Sequence, residues 1–216
     1  MIYLISDLHG RVDFCGLQEY CRIANKGDLL IILGDIGLAF EESEQNRIFT
    51  ETFLSIDKNI AIVDGNHDNF AYLNSFPREQ WNGGVVSRLT EHIVHLRRGN
   101  IYEIDGKSFF VFGGCKSSPK WKENGLWHEG EEPSEEELAY AYDNLRRCDY
   151  TVDYILTHKY EQTPPLGTVC KDLQDLTTFI EKNVQYRHWY AGHWHTNKCV
   201  DETHTLVYNA LVDICR

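Results

Sequence analysis

The chain has 216 residues, 42% of them hydrophobic and 25% charged, with a formal net charge of −12. That is enough chain to bury a core without disulfides or a structural metal, and the acidic balance disfavours general binding to nucleic acid or anionic membranes. Seven scattered cysteines with no Cys-x-x-Cys pair argue against a zinc ribbon or a secreted disulfide framework, and a reducing cytoplasm fits them best.

In chain order, short apolar runs alternate with helical spacing. MIYLIS reads as a strand too short for a signal-peptide apolar region, and residues 12–24 read as a helix. DLLIILGD is a second strand, residues 44–56 a second helix, and NIAIVDG a third strand. The strands are almost continuously apolar, as expected of a parallel sheet covered on both faces. No run has the length of a transmembrane helix.

Residues 69–90 read as a loop. HIVHL, NIYEI and KSFFVFGG then read as strands, the last two joined at Asp105-Gly106, a hairpin signal. Residues 115–133 form a loop rich in Gly, Pro, Trp and charge. Ser134 and Glu137 mark a capping box at the start of the next helix. VDYILTH is a strand, Leu173, Leu176, Ile180 and Val184 mark the last helix, and strands YRHWYAGHWH, NKCVD and TLVYNALV finish the chain. With no internal repeat or linker, residues 1–216 read as one domain.

Five of these strands end on side chains that titrate or bind metals. YLISDLHG presents Asp7 and His9, LIILGDIG presents Asp35, and IAIVDGNHD presents Asn66, His67 and Asp68. DYILTH ends on His158, and HWYAGHWH on His193 and His195. In an open α/β sheet this is the edge where ligands bind. Oxygen and imidazole donors without thiolate suit Mn, Fe, Zn, Ni or Co, and seven ligands fit two divalent ions better than one tetrahedral ion.

The motifs DLHG, GDIG, GNHD, TH and GHWH, in this order, resemble those of the calcineurin-like metallophosphoesterases. The resemblance runs from Asp7 to His195. It implies a four-layered αββα sandwich, two mixed β-sheets flanked by helices, with a dinuclear metal site at the strand C-terminal ends. It also implies that Asp7, His9 and His195 bind one ion, that Asp35 bridges, and that Asn66, His158 and His193 complete the other. His67 would be the acid or charge stabiliser over a substrate phosphate, and Asp68 would hold its imidazole. The implied activity is hydrolysis of a small phosphomonoester or phosphodiester, with two divalent ions as cofactors, manganese foremost. A nuclease of the same fold, a protein phosphatase and a non-catalytic scaffold are the rival readings; the charge of −12 opposes the first, and the intact ligand set opposes the last.

Residues 115–133 also resemble a loop of a bacterial subgroup of small phosphoesterases. The chain departs from that pattern at Pro119, Lys122 and His128, where an Asp, an Arg and a Trp are expected. The loop reads as a substrate-facing lid, with Lys120, Lys122 and His128, and Arg11 after DLHG, as candidate substrate contacts. His92, His95, His188 and His204 read as surface or strand-edge residues, and Cys115 as structural.

Overall fold

The computed structural model describes residues 1–160 and 168–214; Cys215 lies outside them. Apolar residues on alternate sides of each strand decide the layering. In β2 (Leu29–Leu33), Ile31 and Leu33 face the second sheet, while Leu30 and Ile32 face the helices α1 (Cys15–Ile23) and α2 (Glu44–Leu54). The first sheet adds β1 (Ile2–Ile5), β3 (Ile60–Val63), β4 (Arg78–Trp81), β5 (Gly84–Arg88), β6 (Ile93–Leu96) and β13 (Val212–Asp213), in the order β13-β1-β2-β3-β6-β5-β4. Strands β1, β2, β3 and β6 run parallel, and the edges are antiparallel.

The second sheet contains β7 (Asn100–Ile104), β8 (Lys107–Phe112), β9 (Tyr154–Thr157), β10 (His188–Ala191), β11 (Lys198–Cys199) and β12 (His204–Leu206), in the order β11-β12-β10-β9-β8-β7. Its inner face packs Phe109, Val111 and Leu156 against Leu4, Ile31 and Val63 of the first sheet. Its outer face packs Phe110, Phe112 and Ile155 against α5 (Glu135–Arg147) and α6 (Lys171–Asn183). The result is four layers, helix, sheet, sheet and helix, with two mixed sheets.

Local signals hold where side chains cap the chain. Ser134 Oγ accepts from the Glu137 amide, and Glu137 reaches back to the Ser134 amide, completing the capping box of α5. Residues 69–90 are not a loop. They form α3 (Phe70–Asn74) and the β4–β5 hairpin, whose outer strand is exposed and polar. Within the 115–133 loop, Pro119 starts the one-turn helix α4 (Pro119–Glu123). The final apolar run is split: His204–Leu206 pairs in the second sheet, and Val212–Asp213 pairs with β1 in the first.

Two histidines read as surface residues are buried. His95 is 3% exposed and bonds Asp64 at 3.0 Å, while Arg98 holds the other Asp64 oxygen. His204 lies between Glu181 and Asp201, each 2.9 Å away. In both cases the carboxylates compensate the burial of a polar ring.

Candidate metal centre

The seven candidate ligands converge where the C-terminal ends of the two sheets meet. The first sheet supplies Asp7 and His9 beyond β1, Asp35 beyond β2 and Asn66 beyond β3. The second supplies His158 beyond β9, with His193 and His195 beyond β10. The backbone turns abruptly to aim them. Asp7, His9, Asp35, His193 and His195 all have positive φ, between 46° and 69°. Left-handed backbone is uncommon for residues with a Cβ, and such strain clusters at functional sites.

Two groups form. Asp7, His9 and His195 make one, and Asp35, His158 and His193 the other. Asp35 faces both, with Oδ2 3.7 Å from His9 Nε2 and Oδ1 3.4 Å from His158 Nε2. Asn66 Oδ1 lies 3.2 Å from His158 Nε2.

Three features of this cluster suit cations. Asp7 Oδ1 is buried without a well-aligned donor, although His195 Nε2 is 3.2 Å away. His9 Nε2 and His195 Nε2 face each other at 3.0 Å, so their lone pairs need a proton or an electrophile between them. His158 bonds the Leu33 carbonyl through Nδ1 at 2.7 Å, which turns Nε2 into the site. The Asn66 amide is oriented in the same way, because its Nδ2 donates to Ser117 Oγ at 3.0 Å.

Electrostatics follows from burial and proximity. Burial would push the Asp35 carboxyl up, but His158, with His9 and His67, holds it well below the usual carboxylate range. Burial would lower His158, and Asp35 raises it instead. Burial, then the neighbouring His158, push His193 down to about 3, so its ring is neutral and free to donate a lone pair. Burial also lowers His9 and His67 against the pull of Asp35.

Two glycines are required by close approach. A Cβ on Gly34, at φ +92°, would strike the His158 ring, and one on Gly65 would strike the Asp35 carboxylate and amide.

Asp68 does not hold the His67 imidazole. Its Oδ1 accepts from the amides of Ile36 and Gly37, at 2.9 and 3.0 Å, and its Oδ2 from those of Asp35 and Gly65, at 3.0 and 2.8 Å. Burial, then the Asp35 charge, push this carboxyl up to about 7 against the Gly37 and Gly65 amides. A cation on Asp35 would remove that part of the push. The His67 amide donates to Asp35 Oδ1 at 2.7 Å, and its ring lies among Trp121, His9 and Phe40, at centroid distances of 4.7, 5.4 and 5.6 Å.

The expected substrate contacts lie elsewhere. Lys120 and Lys122 are exposed and absent from the lining of the 640 Å³ cavity over the candidate ligands; Lys122 Nζ sits 3.9 Å above the Trp127 ring. Arg11 donates to the Leu8 carbonyl and the Tyr208 hydroxyl, and Tyr208 stacks on His195 at 5.0 Å, so Arg11 braces a candidate ligand. His128 donates Nε2–H to the Phe40 carbonyl at 2.7 Å. In their place the cavity is lined by Lys116, Ser117, Ser118, Trp121, Phe40 and Leu126. Lys116 is ion-paired to Glu132 at 2.9 Å. No spacing signal marks Phe40 or Ser117; a Trp within a polar loop was the available sign for Trp121.

Among solved structures that match this chain, one aligns at a TM-score of 0.51 and 12% sequence identity, covering 97% of this chain and 90% of the other. At that identity the likeness shows the fold alone. No curated protein matches the sequence. Among the described residues no helix is long and apolar enough to cross a membrane. The model of the calcineurin-like phosphoesterase family matches residues 1–197, and the chain belongs to that family of metal-dependent phosphoesterases.

Proposed function

We propose that this chain is a phosphohydrolase that uses two divalent cations and a water nucleophile to cleave a small phosphomonoester or phosphodiester. The observation that carries this reading is Asp35, whose two oxygens face two adjacent ligand groups, each drawn from both sheets. Asp7, His9 and His195 would hold one cation, Asn66, His158 and His193 the other, and Asp35 both. The donors are nitrogen and oxygen, which suit Mn, Fe, Zn, Ni or Co alike, and Mn is put first on the family resemblance. When bound, such cations supply Lewis acidity, acidifying a water and neutralising phosphoryl oxygens.

The protein's own residues do the rest. His67, anchored through its amide to Asp35, presents its imidazole at the mouth of the ligand cluster and would serve the departing oxygen as acid or charge stabiliser. Trp121 and Phe40 shield that ring from bulk water. Asp68 gathers the amides of residues 35–37 and 65 and so fixes where Asp35 and Asn66 point. Arg11 through Tyr208, and Ser117 through Asn66, hold further ligands in place.

Residues 1–216 would work as one domain, akin to the bacterial subgroup of small phosphoesterases. The seven scattered cysteines, with no Cys-x-x-Cys pair, support a cytoplasmic setting. The charge of −12, and a cavity whose single lysine is ion-paired, weigh against a nuclease.

Metal-stripped protein resupplied with Mn²⁺ tests the proposal on p-nitrophenyl phosphate and its bis ester. Metal-dependent turnover that falls in His67→Ala, with bound metal confirmed, is the expected result. The preferred ester separates monoesterase from diesterase. Two bound ions with no turnover of either ester would count against an enzyme.

A further inference from the structure

The leaving-group side of the cavity is built from aromatic and aliphatic surface, which is unusual beside so polar a ligand cluster. Trp121 is 41% exposed, one of few large apolar side chains left open to solvent among the described residues. It sits on α4 in the 115–133 loop with its ring 4.7 Å from His67. Phe40 approaches the same imidazole from another loop, at 5.6 Å, and no ring contact joins Phe40 to Trp121. Leu126 continues the apolar lining beyond them. His128 fixes this arrangement across the two loops, bonding the Phe40 carbonyl and packing 5.0 Å from its ring. Packing does not explain an exposed indole here, since leaving apolar surface in water gains nothing.

We infer that Phe40, Trp121 and Leu126 form a slot for a planar ring carried by the leaving group, so that the preferred substrates are phosphate esters of ring-bearing alcohols. The inference rests on the phosphohydrolase reading and on His67 as the proton donor. In the reaction the water oxygen bonds to phosphorus and the ester P–O bond breaks. The departing oxygen takes the His67 proton, and the water's proton passes to solvent. That departing oxygen must therefore lie against His67, and the atoms attached to it fall between the two rings that flank the imidazole. A flat π-face is the chemistry both walls recognise, whether it belongs to an aryl group or a nucleobase.

The test uses the Mn²⁺-loaded full chain and two esters whose alcohols have similar acidity, 2-phenylethyl phosphate and n-butyl phosphate. A ring stacked on Trp121 should raise kcat/KM by about tenfold over the butyl ester. Trp121→Ala should bring that ratio close to one, and Trp121→Phe should keep most of it. A nucleoside 5′-monophosphate as a third substrate separates aryl from nucleobase preference. A wild-type ratio near one overturns the slot. So does a Trp121→Ala variant in which both esters lose equally, because Trp121 would then merely position His67. Binding of 2-phenylethylphosphonate against n-butylphosphonate, followed by tryptophan fluorescence, keeps the two readings apart. Tighter binding of the phenylethyl compound without turnover of any ester, bis(p-nitrophenyl) phosphate included, would sink the hydrolase and leave the slot. Equal binding would sink the slot.

Discussion

Replacing Asp68 with asparagine changes one carboxylate oxygen into an NH2 group and leaves the shape intact. Each oxygen accepts two amides, Ile36 and Gly37 on one side and Asp35 and Gly65 on the other. Whichever side the new NH2 takes, two backbone donors face another donor in a buried place. An unsatisfied buried donor costs about 1–3 kcal/mol, so the substitution should destabilise by about 2–6 kcal/mol. Because the disturbed amides belong to the turns that carry Asp35 and Asn66, metal binding should weaken with stability. Urea unfolding of metal-free Asp68→Asn and wild type measures the first effect, and titration with Mn²⁺ the second. A variant that unfolds and binds metal like wild type, yet loses turnover, would refute this account and return Asp68 to the role of orienting His67.

Ser117→Ala removes the acceptor that orients the Asn66 amide and should weaken binding of one of two ions by about 10–100-fold, read by Mn²⁺ titration. Gly65→Ala drives a methyl into Asp35 and should abolish metal binding at that residue, a loss that metal analysis after dialysis would reveal. Loading wild type with Mn²⁺ at about 100 times its dissociation constant should stabilise by about 2.7 kcal/mol, seen as a rise in Tm that chelation reverses. Burial would lower His204, but the Glu181 and Asp201 carboxylates raise it above its ordinary 6.5. Its contribution to stability is therefore complete below 6.5 and is lost as pH rises through the higher folded value. Urea unfolding of His204→Gln and wild type between pH 6 and 9 should show their difference shrinking as pH rises; a constant difference would contradict the assignment.

Much of the candidate site could be read from sequence because each candidate ligand follows an apolar run, and both-face burial makes such runs continuous. Asp7, Asp35, Asn66 and His158 all follow strands in which every residue is buried, whereas β10 before His193 is buried on one side only. The capping box and the Asp105-Gly106 turn were equally legible, since neighbours in sequence make their bonds. What escaped was held by distant partners. Asp68 bonds amides some thirty positions earlier as well as Gly65, and His95 and His204 are buried against Asp64 and Glu181, which arrive from distant parts of the chain. The β4–β5 hairpin escaped for another reason: an exposed edge strand such as Arg78–Trp81 has no buried face to impose an apolar pattern. Lys120 and Lys122 have suitable charge, but α4 directs them away from the cavity.

The strained backbone at Asp7, His9, Asp35, His193 and His195 connects the fold to the chemistry. Each left-handed residue costs roughly 1–3 kcal/mol, a sum a marginally stable protein bears only where the surroundings over-determine it. Here they do. The Asp7 and His9 amides bond the carbonyls of Gly34 and Asp35, the His193 amide bonds Asp7 Oδ2, and the Asp35 amide bonds Asp68. Each turn is thus held by a neighbouring turn, and the His193–Asp7 bond crosses from one sheet to the other. The packed layer of Leu4, Ile31, Val63, Val111 and Leu156 sets the spacing of the sheets, and so the distances within each candidate ligand group, since both groups draw side chains from both sheets. A cavity made in that layer should therefore weaken the binding of both ions, read by Mn²⁺ titration of Ile31→Ala beside wild type.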